Sequence, residues 1–391
     1  MDAGALRILV LTSTLPARPG DGTPEFVLTL SLKLADSAVV MILAPRVKLA
    51  VSRVDAVEIR RFPYFPKRFE SLAADAILPE LRRHPWKLFE AVSLVVSFVW
   101  HTFRYCRDLR PDVIHAHWLL PGGLSAWLAS IATRTPYIVT VHGADAYALK
   151  GPVTRWLRER VIRRAHRVIP VSREIASILG LDPRTALPMG IDLDSWALPS
   201  ELRQRLTGHF VFVGRLAEKK GLAVALEALA QIPGAHLTVV GDGPDRGKLE
   251  ELASELGISS RVQFEGTQPA RLAREFLRTA NAALIPSVVA ASGDQDGTPV
   301  VLAEAVALGT PVIASRLGGI VDIVDDTMVS LVSPGDPNEL ADAMRFAMDH
   351  QEEMDERADA TRAQVIDQLD ASRIANAYIG FLEEAAQGTE H

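Results

Sequence analysis

Short, continuous apolar runs recur along the 391 residues, and each is followed by a longer stretch with helical character. The first half carries them at residues 6–12, 39–43, 57–60, 112–115, 137–141 and 168–171. The second half carries them at residues 210–213, 236–240, 261–264, 282–286, 311–314 and 330–332. Apolar runs of this length read as strands buried on both faces, and strands that alternate with helices pair in parallel through βαβ crossovers. The sequence therefore predicts an α/β chain of two doubly wound, Rossmann-like domains. The first covers residues 1–195 and the second 207–368, with the polar stretch Asp194–Gly208 as linker. A final helix, residues 371–388, is long enough to lie back across the first domain. Sheets of this kind bind ligands at the carboxyl ends of their strands, so chemistry is expected in the loops found there.

The richest such loop is GDQDGTPVVLAEAVALGT, Gly293 to Thr310. Its polar start gives way to an apolar helix, with Thr298 suited to the N-cap, Pro299 to the first turn and Gly309 to the left-handed residue after the helix. A helix start fed by a glycine-containing loop presents free N–H groups and positive dipole, which suits a phosphate. Glu304 lies just over one turn into that helix, where packing alone has no use for a carboxylate, and Asp296 lies eight residues before it. Asp294-Gln295-Asp296 also reads as the D-x-D of a metal-dependent transferase.

After residues 210–213, GRLAEKKG places Arg215, Lys219 and Lys220 just before a helix start. The dipole disfavours cations there by about 0.3–1 kcal/mol each, which suggests that the loop holds an anion; surface solvation is the bland alternative. After residues 236–240, GDGPDRG resembles a dinucleotide-binding turn, but its last glycine is one residue late and Asp242 and Asp245 would repel a pyrophosphate. A tight βα turn explains it better. In the first half, strand ends deliver His115, His117, His142 and Asp145 to one region, which favours a role for His142 over a purely structural one. His-x-His also resembles a metal pair, but no third ligand is spaced to complete it. Gly20-Asp21-Gly22 follows the first strand without forming G-x-G-x-x-G.

Composition restricts the rest. One cysteine, Cys106, excludes an internal disulfide and favours a reducing compartment, and the short apolar N-terminal run reads as a strand rather than a signal segment. Residues 1–195 hold 26 Lys and Arg against 18 Asp and Glu, whereas the remainder holds 16 against 30. A basic front half and an acidic back half suit two domains with different partners, although solvated faces account for most such charges. Residues 86–105 form a long apolar helix, shorter in its uncharged part than the ~20 residues that span a bilayer. It reads as a buried helix, with membrane-surface contact the alternative. From Lys150 to Arg173 there are eight basic residues and one acid, Glu159. Their spacing wraps a solvated helix, or one that meets an anionic membrane surface.

Taken together, the Gly20–Phe26 loop, HAHWLLPGG, VHGAD, PMGID, VGRLAEKKG, VVGDGPDRGKLEEL, VQFEG and GDQDGTPVVLAEA with GTPVIAS resemble a GT-B glycosyltransferase of family 4. The resemblance covers nearly the whole chain. HAHWLLPGG, HGAD and PMGID are most like bacterial enzymes that build surface polysaccharides. It implies two Rossmann-like domains facing a cleft, the nucleotide sugar on the C-terminal domain and the acceptor on the N-terminal one. It further implies that Arg215 and Lys220 neutralise the diphosphate beside Gly214, and that Glu304 holds the ribose. The turn Gly297, Thr298, Pro299 and Val300 would contact phosphate, and His142 would stand near the transferred sugar. Gly20 and Gly22 would close over the phosphates, and Asp296 would take the catalytic place of the family's first glutamate, which approaches the donor sugar, with a side chain one methylene shorter. The implied reaction retains anomeric configuration, uses no cofactor or metal, and takes a lipid-linked, glycan or small-molecule hydroxyl acceptor, with no nucleic acid partner. The expected location is cytoplasmic, with peripheral contact at the inner face of the membrane through the basic domain. Alternatives are a GT-B sugar-nucleotide epimerase, an NAD-binding oxidoreductase and a nucleotide-binding protein without turnover.

Overall fold

A computed structural model describes residues 5–19, 21, 23–74, 81, 84–147, 151–196 and 205–388. The chain divides into two compact units, the first comprising residues 1–171, 178–187 and 371–391 and the second residues 172–177 and 188–370.

The first unit is built on strands β1 (Arg7–Leu11), β2 (Val39–Pro45), β3 (Arg53–Val54), β4 (Val57–Phe62), β5 (Val113–His117), β6 (Tyr137–Val141) and β7 (Arg167–Pro170). They lie in the order β3-β4-β2-β1-β5-β6-β7. All pairs are parallel except β3 with β4, a two-residue antiparallel edge that carries no apolar pattern to announce it. The order reverses at β1, so right-handed crossovers set the helices Leu88–Leu109, Leu124–Thr133 and Pro152–Arg164 on one face of the sheet. Helix Phe26–Leu34 takes the other face, where helix Ala371–Gln387 packs against it and against β5 and β6. Tyr378 from this last helix is fully buried, and its hydroxyl is 2.9 Å from Thr140 Oγ1 on β6.

The helix read as buried is buried along one stripe only. In Leu88–Leu109, Glu90, Leu94, Phe98, Thr102 and Cys106 face inward at a spacing of four residues. The Glu90 carboxylate is satisfied there, accepting the backbone N–H groups of Ser71 (2.6 Å) and Leu72 (2.9 Å). The opposite stripe, Phe89, Val92, Val96 and Trp100, is exposed. Apolar content alone could not reveal this, because the exposed stripe is at least as apolar as the buried one, which carries Glu90 and Thr102.

The second unit contains β8 (Leu206–Val213), β9 (His236–Val240), β10 (Val262–Gly266), β11 (Ala280–Ile285), β12 (Val312–Ser315) and β13 (Ser330–Val332). Every pair is parallel, in the order β10-β9-β8-β11-β12-β13. Side chains alternate across it. Phe210 and Phe212 pack into one core with Leu226 and Met344, while Val211 packs into the other with Leu302 and Ile320. β8 opens inside the stretch expected as linker, and Leu193–Trp196 is a short helix with Trp196 buried. The intervening residues 197–204 lie outside the described residues.

Helix Val300–Ala307 begins one residue later than the sequence suggests. Pro299 (φ −65°, ψ 123°) occupies the N-cap, so Thr298 stands one residue before the capping position. The far end is as expected: Gly309 is left-handed (φ 60°), with Gly309 N–H on the Val306 carbonyl (2.9 Å) and Thr310 N–H on that of Ala305 (2.8 Å). No helix among the described residues is long and apolar enough to cross a membrane.

Because Tyr378 ties residues 371–387 to the first unit's sheet, Tyr378→Ala should destabilise the protein by about 3–5 kcal/mol, and Tyr378→Phe, which removes only the hydroxyl, by about 1 kcal/mol. Urea unfolding of the two variants beside the wild type measures both.

Candidate active site

In a parallel sheet of the order 3-2-1-4-5-6, the ligand crevice opens where the strand order reverses. In the second unit that point lies between β8 and β11. The loop after β8 carries Gly214, Arg215 and a short turn, Glu218–Lys220, before helix Leu222–Ala230; the loop after β11 runs from Pro286 to Pro299. These loops meet backbone to backbone. Gly221 is left-handed (φ 68°), and a Cβ there would lie 1.8 Å from the Pro286 carbonyl oxygen. Val288 N–H donates to the Lys219 carbonyl (2.9 Å) and Ala291 N–H to Glu218 Oε1 (2.8 Å).

The lysines reach the acidic loop. Lys220 Nζ lies 2.8 Å from Asp296 Oδ2, which also accepts from Ser287 Oγ at 3.0 Å. Lys219 Nζ is 3.2 Å from Asp294 Oδ2 and 3.9 Å from Asp296 Oδ1. Burial would push the Asp296 carboxyl up, but Lys220, Lys219 and the Ser287 hydroxyl outweigh it and hold the group below the usual carboxylate range. Gln295, the middle residue of the D-x-D, turns away to donate to Glu174 Oε2 (2.8 Å). Both acids of that tripeptide are thus taken by lysines. Among the described residues no group of three His, Cys, Asp or Glu side chains is arranged to hold a metal ion.

Two neighbouring loops brace this pair. A Cβ at Gly319 would lie 1.2 Å from the Gly297 carbonyl oxygen, so the short helix Gly318–Val321 presses directly on the turn Gly297-Thr298. Gly241 and Gly243 are pressed in the same way against the Gly214 carbonyl (1.9 Å) and the Leu216 carbonyl (2.4 Å). The GDG sequence is accordingly a tight βα turn that supports the Arg215 loop. Glu304 lies in the second turn of helix Val300–Ala307, half-buried.

In the first unit, His142 directly follows β6 as a buried residue among rings. Trp118 lies 4.6 Å from it between centroids, Phe26 5.1 Å and His117 5.4 Å. His117 Nδ1 is 3.1 Å from His142 Nε2, and His115 Nε2 is 2.8 Å from Thr140 Oγ1. Burial pushes the His115 and His142 imidazoles down to about 3 and His117 well below its ordinary 6.5, so all three are neutral at physiological pH. Trp118 holds a strained backbone (φ 65°, ψ 140°), and a Cβ at Gly122 would meet the His117 carbonyl oxygen at 2.4 Å. Burial raises the Asp145 carboxyl to about 7 against the hydrogen bonds it accepts from the Leu119, His142 and Leu120 backbones. It joins the two histidine-bearing loops.

Lys220 and Asp296 are therefore brought together, with Arg215, the Gly297–Val300 turn and Glu304 on adjoining elements of the second unit, while His142 belongs to the first unit. Gly20 and Gly22 lie outside the described residues. Sequence reasoning passed over Gly221, Ser287, Glu174 and Gly319. Of these only the glycines carried a local signal, as single glycines at strand-end loops.

Two doubly wound sheets, the second wholly parallel with cations and a helix start at its switch point, form the architecture of a two-domain α/β enzyme. The fold is GT-B: 97% of the chain superposes on 99% of an Anabaena protein solved with UDP and glucose, with a TM-score of 0.73 at 19% identity. Residues 22–186 match the Glycosyl transferase 4-like domain and residues 204–364 match Glycosyl transferases group 1. A Bacillus subtilis protein named as a teichuronic acid biosynthesis glycosyltransferase is 31% identical over 291 residues, 69% of this chain and 70% of that one. An Escherichia coli protein named as a colanic acid biosynthesis glycosyltransferase is 31% identical over 283 residues, 69% and 68% of the two chains. The chain belongs to the group 1, family 4 glycosyltransferases.

The buried histidines set a pH dependence of stability. Each is protonated in the unfolded chain below about pH 6.5 but not in the folded one, so its contribution is complete above pH 6.5 and is lost as pH falls, at up to about 1.4 kcal/mol per pH unit. Asp145 runs the other way, its contribution complete below the unfolded 3.8 and lost as pH rises through about 7. Between pH 4 and 6 three histidines oppose one aspartate. The melting temperature should therefore fall on acidification from pH 7 to 5. Asp145→Asn should gain stability relative to the wild type between pH 5 and 8. Melts across that range check both.

Proposed function

We propose that this glycosyltransferase moves a sugar from a nucleoside diphosphate donor to a hydroxyl acceptor with retention of anomeric configuration, in the synthesis of a surface polysaccharide. The observation that carries the reading is Lys220 at the switch point of the second sheet, paired at 2.8 Å with Asp296, which Ser287 also holds and which lies four residues before the start of helix Val300–Ala307. The names of the Bacillus subtilis and Escherichia coli relatives support the polysaccharide context.

In this reading the bond between the anomeric carbon and the diphosphate oxygen breaks, and its electron pair passes to the leaving phosphate. Arg215, Lys220 and the N–H groups at Val300 and Val301 meet the charge that develops there. In many enzymes preorganised stabilisation of this kind lowers the barrier more than any other effect. The acceptor hydroxyl attacks from the face the diphosphate leaves, and its proton passes to a phosphate oxygen. Asp296, whose Oδ2 takes both Lys220 and Ser287, positions the lysine. Glu304 accepts from the ribose hydroxyls. His142, neutral in its buried setting, offers a hydrogen bond to the transferred sugar without placing a positive charge beside it.

Arg215→Ala should lower kcat/KM by on the order of 10²–10³ while the protein stays folded. Lys220→Ala should lower it similarly and also lose stability, because it leaves a buried carboxylate with only the Ser287 hydroxyl and the more distant Lys219. Unchanged kinetics in both variants would remove the site assignment. A thermal-shift screen of UDP-, GDP-, ADP- and dTDP-sugars identifies the donor, since a bound ligand raises the melting temperature by mass action. Activity retained in EDTA supports metal-independent transfer, whereas activity restored only by Mn²⁺ overturns it. Incubation with donor alone separates transfer from epimerisation, which consumes donor without an acceptor.

A further inference from the structure

Packing around His142 fixes everything about its ring except the proton. Trp118 and Phe26 crowd it at 4.6 and 5.1 Å between centroids, and the His117 ring lies at 24° to it. Its backbone N–H donates to Asp145 Oδ2 at 3.3 Å. Position and ring plane are therefore set. A neutral imidazole has one N–H donor and one bare acceptor nitrogen, and burial keeps both His117 and His142 neutral. Whatever meets His142 finds a donor or an acceptor according to which nitrogen carries the proton. That choice is set by the hydrogen bond the other nitrogen makes.

His117 makes that bond. The two rings share a single hydrogen bond, His117 Nδ1 to His142 Nε2 at 3.1 Å, whose proton belongs to one ring or the other. If His142 Nε2 held it, His117 would have to carry its own proton on Nε2. That atom is buried and has no hydrogen-bond partner among the described residues. A buried N–H with nothing to accept it is rarer in folded proteins than an idle acceptor. His117 has no room to turn elsewhere. It is fully buried on β5 in register with Thr140 of β6, and a Cβ at Gly122 would meet its carbonyl oxygen at 2.4 Å. The proton therefore sits on His117 Nδ1, and His142 Nε2 accepts it. His142 then carries its own proton on Nδ1, which makes no hydrogen bond among the described residues.

His115 supplies the contrast. It is equally buried, two residues earlier on the same strand, but its Nε2 meets Thr140 Oγ1 at 2.8 Å rather than His142. Burial of an imidazole on β5 is thus separable from contact with His142.

We propose that His117 is a positioning residue: it holds His142 as the Nδ1–H tautomer, a fixed hydrogen-bond donor, so that the group facing His142 must present an acceptor oxygen. A hydroxyl or carboxylate oxygen satisfies it, whereas an ammonium group, which can only donate, does not. That this group belongs to the transferred sugar rests on the transferase reading above; the tautomer is a property of the first unit alone.

The test uses the full chain labelled with ¹⁵N-histidine. Long-range ¹H–¹⁵N spectra at neutral pH, assigned with His142→Gln, should show wild-type His142 protonated at Nδ1. His117→Asn, whose amide N–H can stand where Nδ1 does, should keep that tautomer. His117→Leu should release His142 to the Nε2–H form that free imidazole side chains prefer. With the donor selected by thermal shift, His117→Leu should lower kcat/KM by on the order of tenfold, and His117→Asn should restore most of the loss. His115→Leu, which removes an imidazole not bonded to His142, should leave both the tautomer and kcat/KM unchanged. Wild-type His142 protonated at Nε2 would overturn the proposal without any substitution. So would an unchanged tautomer, or unchanged kcat/KM, in folded His117→Leu. Nδ1–H in the wild type with no turnover of any nucleotide sugar would count for the hold of His117 on His142 and against the transferase reading.

Discussion

Backbone contact without side chains governs the second unit. At Gly221, Gly241 and Gly319 the backbone passes so close to a neighbouring carbonyl that a methyl group would overlap it. Those contacts fix the loops after β8, β9, β11 and β12 against one another, and the loops in turn fix Arg215, Lys220 and the start of helix Val300–Ala307. An arrangement of charged groups built on loops is only as accurate as the loops are rigid. Here rigidity comes from close backbone approach together with Val288 N–H on the Lys219 carbonyl and Ala291 N–H on Glu218. The lysine pair is placed by structure rather than by search.

Electrostatics at the two units run on opposite principles. In the second, buried Asp296 stays ionised because two lysines and a hydroxyl outweigh its desolvation. In the first, nothing of opposite charge offsets burial at His115, His117 and His142, so the imidazoles shed their protons and interact as neutral rings. His115 passes its hydrogen bond through Thr140 to Tyr378, and His117 passes its own to His142. One set of groups keeps a buried charge by pairing it, and the other is kept free of charge.

Most of the architecture was legible because the strands are apolar on both faces. β6, β9 and β13 and helix Leu222–Ala230 fall where apolar runs and glycine breaks put them. What escaped was whatever depends on a partner far along the chain. β3 is too short to show a period, and Thr298 had the right chemistry for a cap but the helix begins after Pro299. The outward stripe of Leu88–Leu109 was not legible, because an apolar stripe facing solvent has the same composition as one facing a core. Of the candidate site, Lys220 and Asp296 were both named from sequence, yet their contact was not, since 76 residues separate them and only the meeting of two strand-end loops brings them within 2.8 Å. Glu174 and Gly319 escaped for the same reason, each acting on the Gly293–Thr310 stretch from a distant loop.

The placement of helix Ala371–Gln387 bears on how the chain is made. Its Ile374, Tyr378 and Leu382 are buried, and the helix covers β5, β6 and helix Phe26–Leu34. Synthesis therefore delivers nearly all of the second unit before it delivers the segment that closes the first. Until that helix emerges, one face of β5 and β6 has no cover, and the part made first is the part finished last. A nascent chain of this kind departs from simple N-to-C domain-by-domain folding. Its early half is completed only after the second unit has been made.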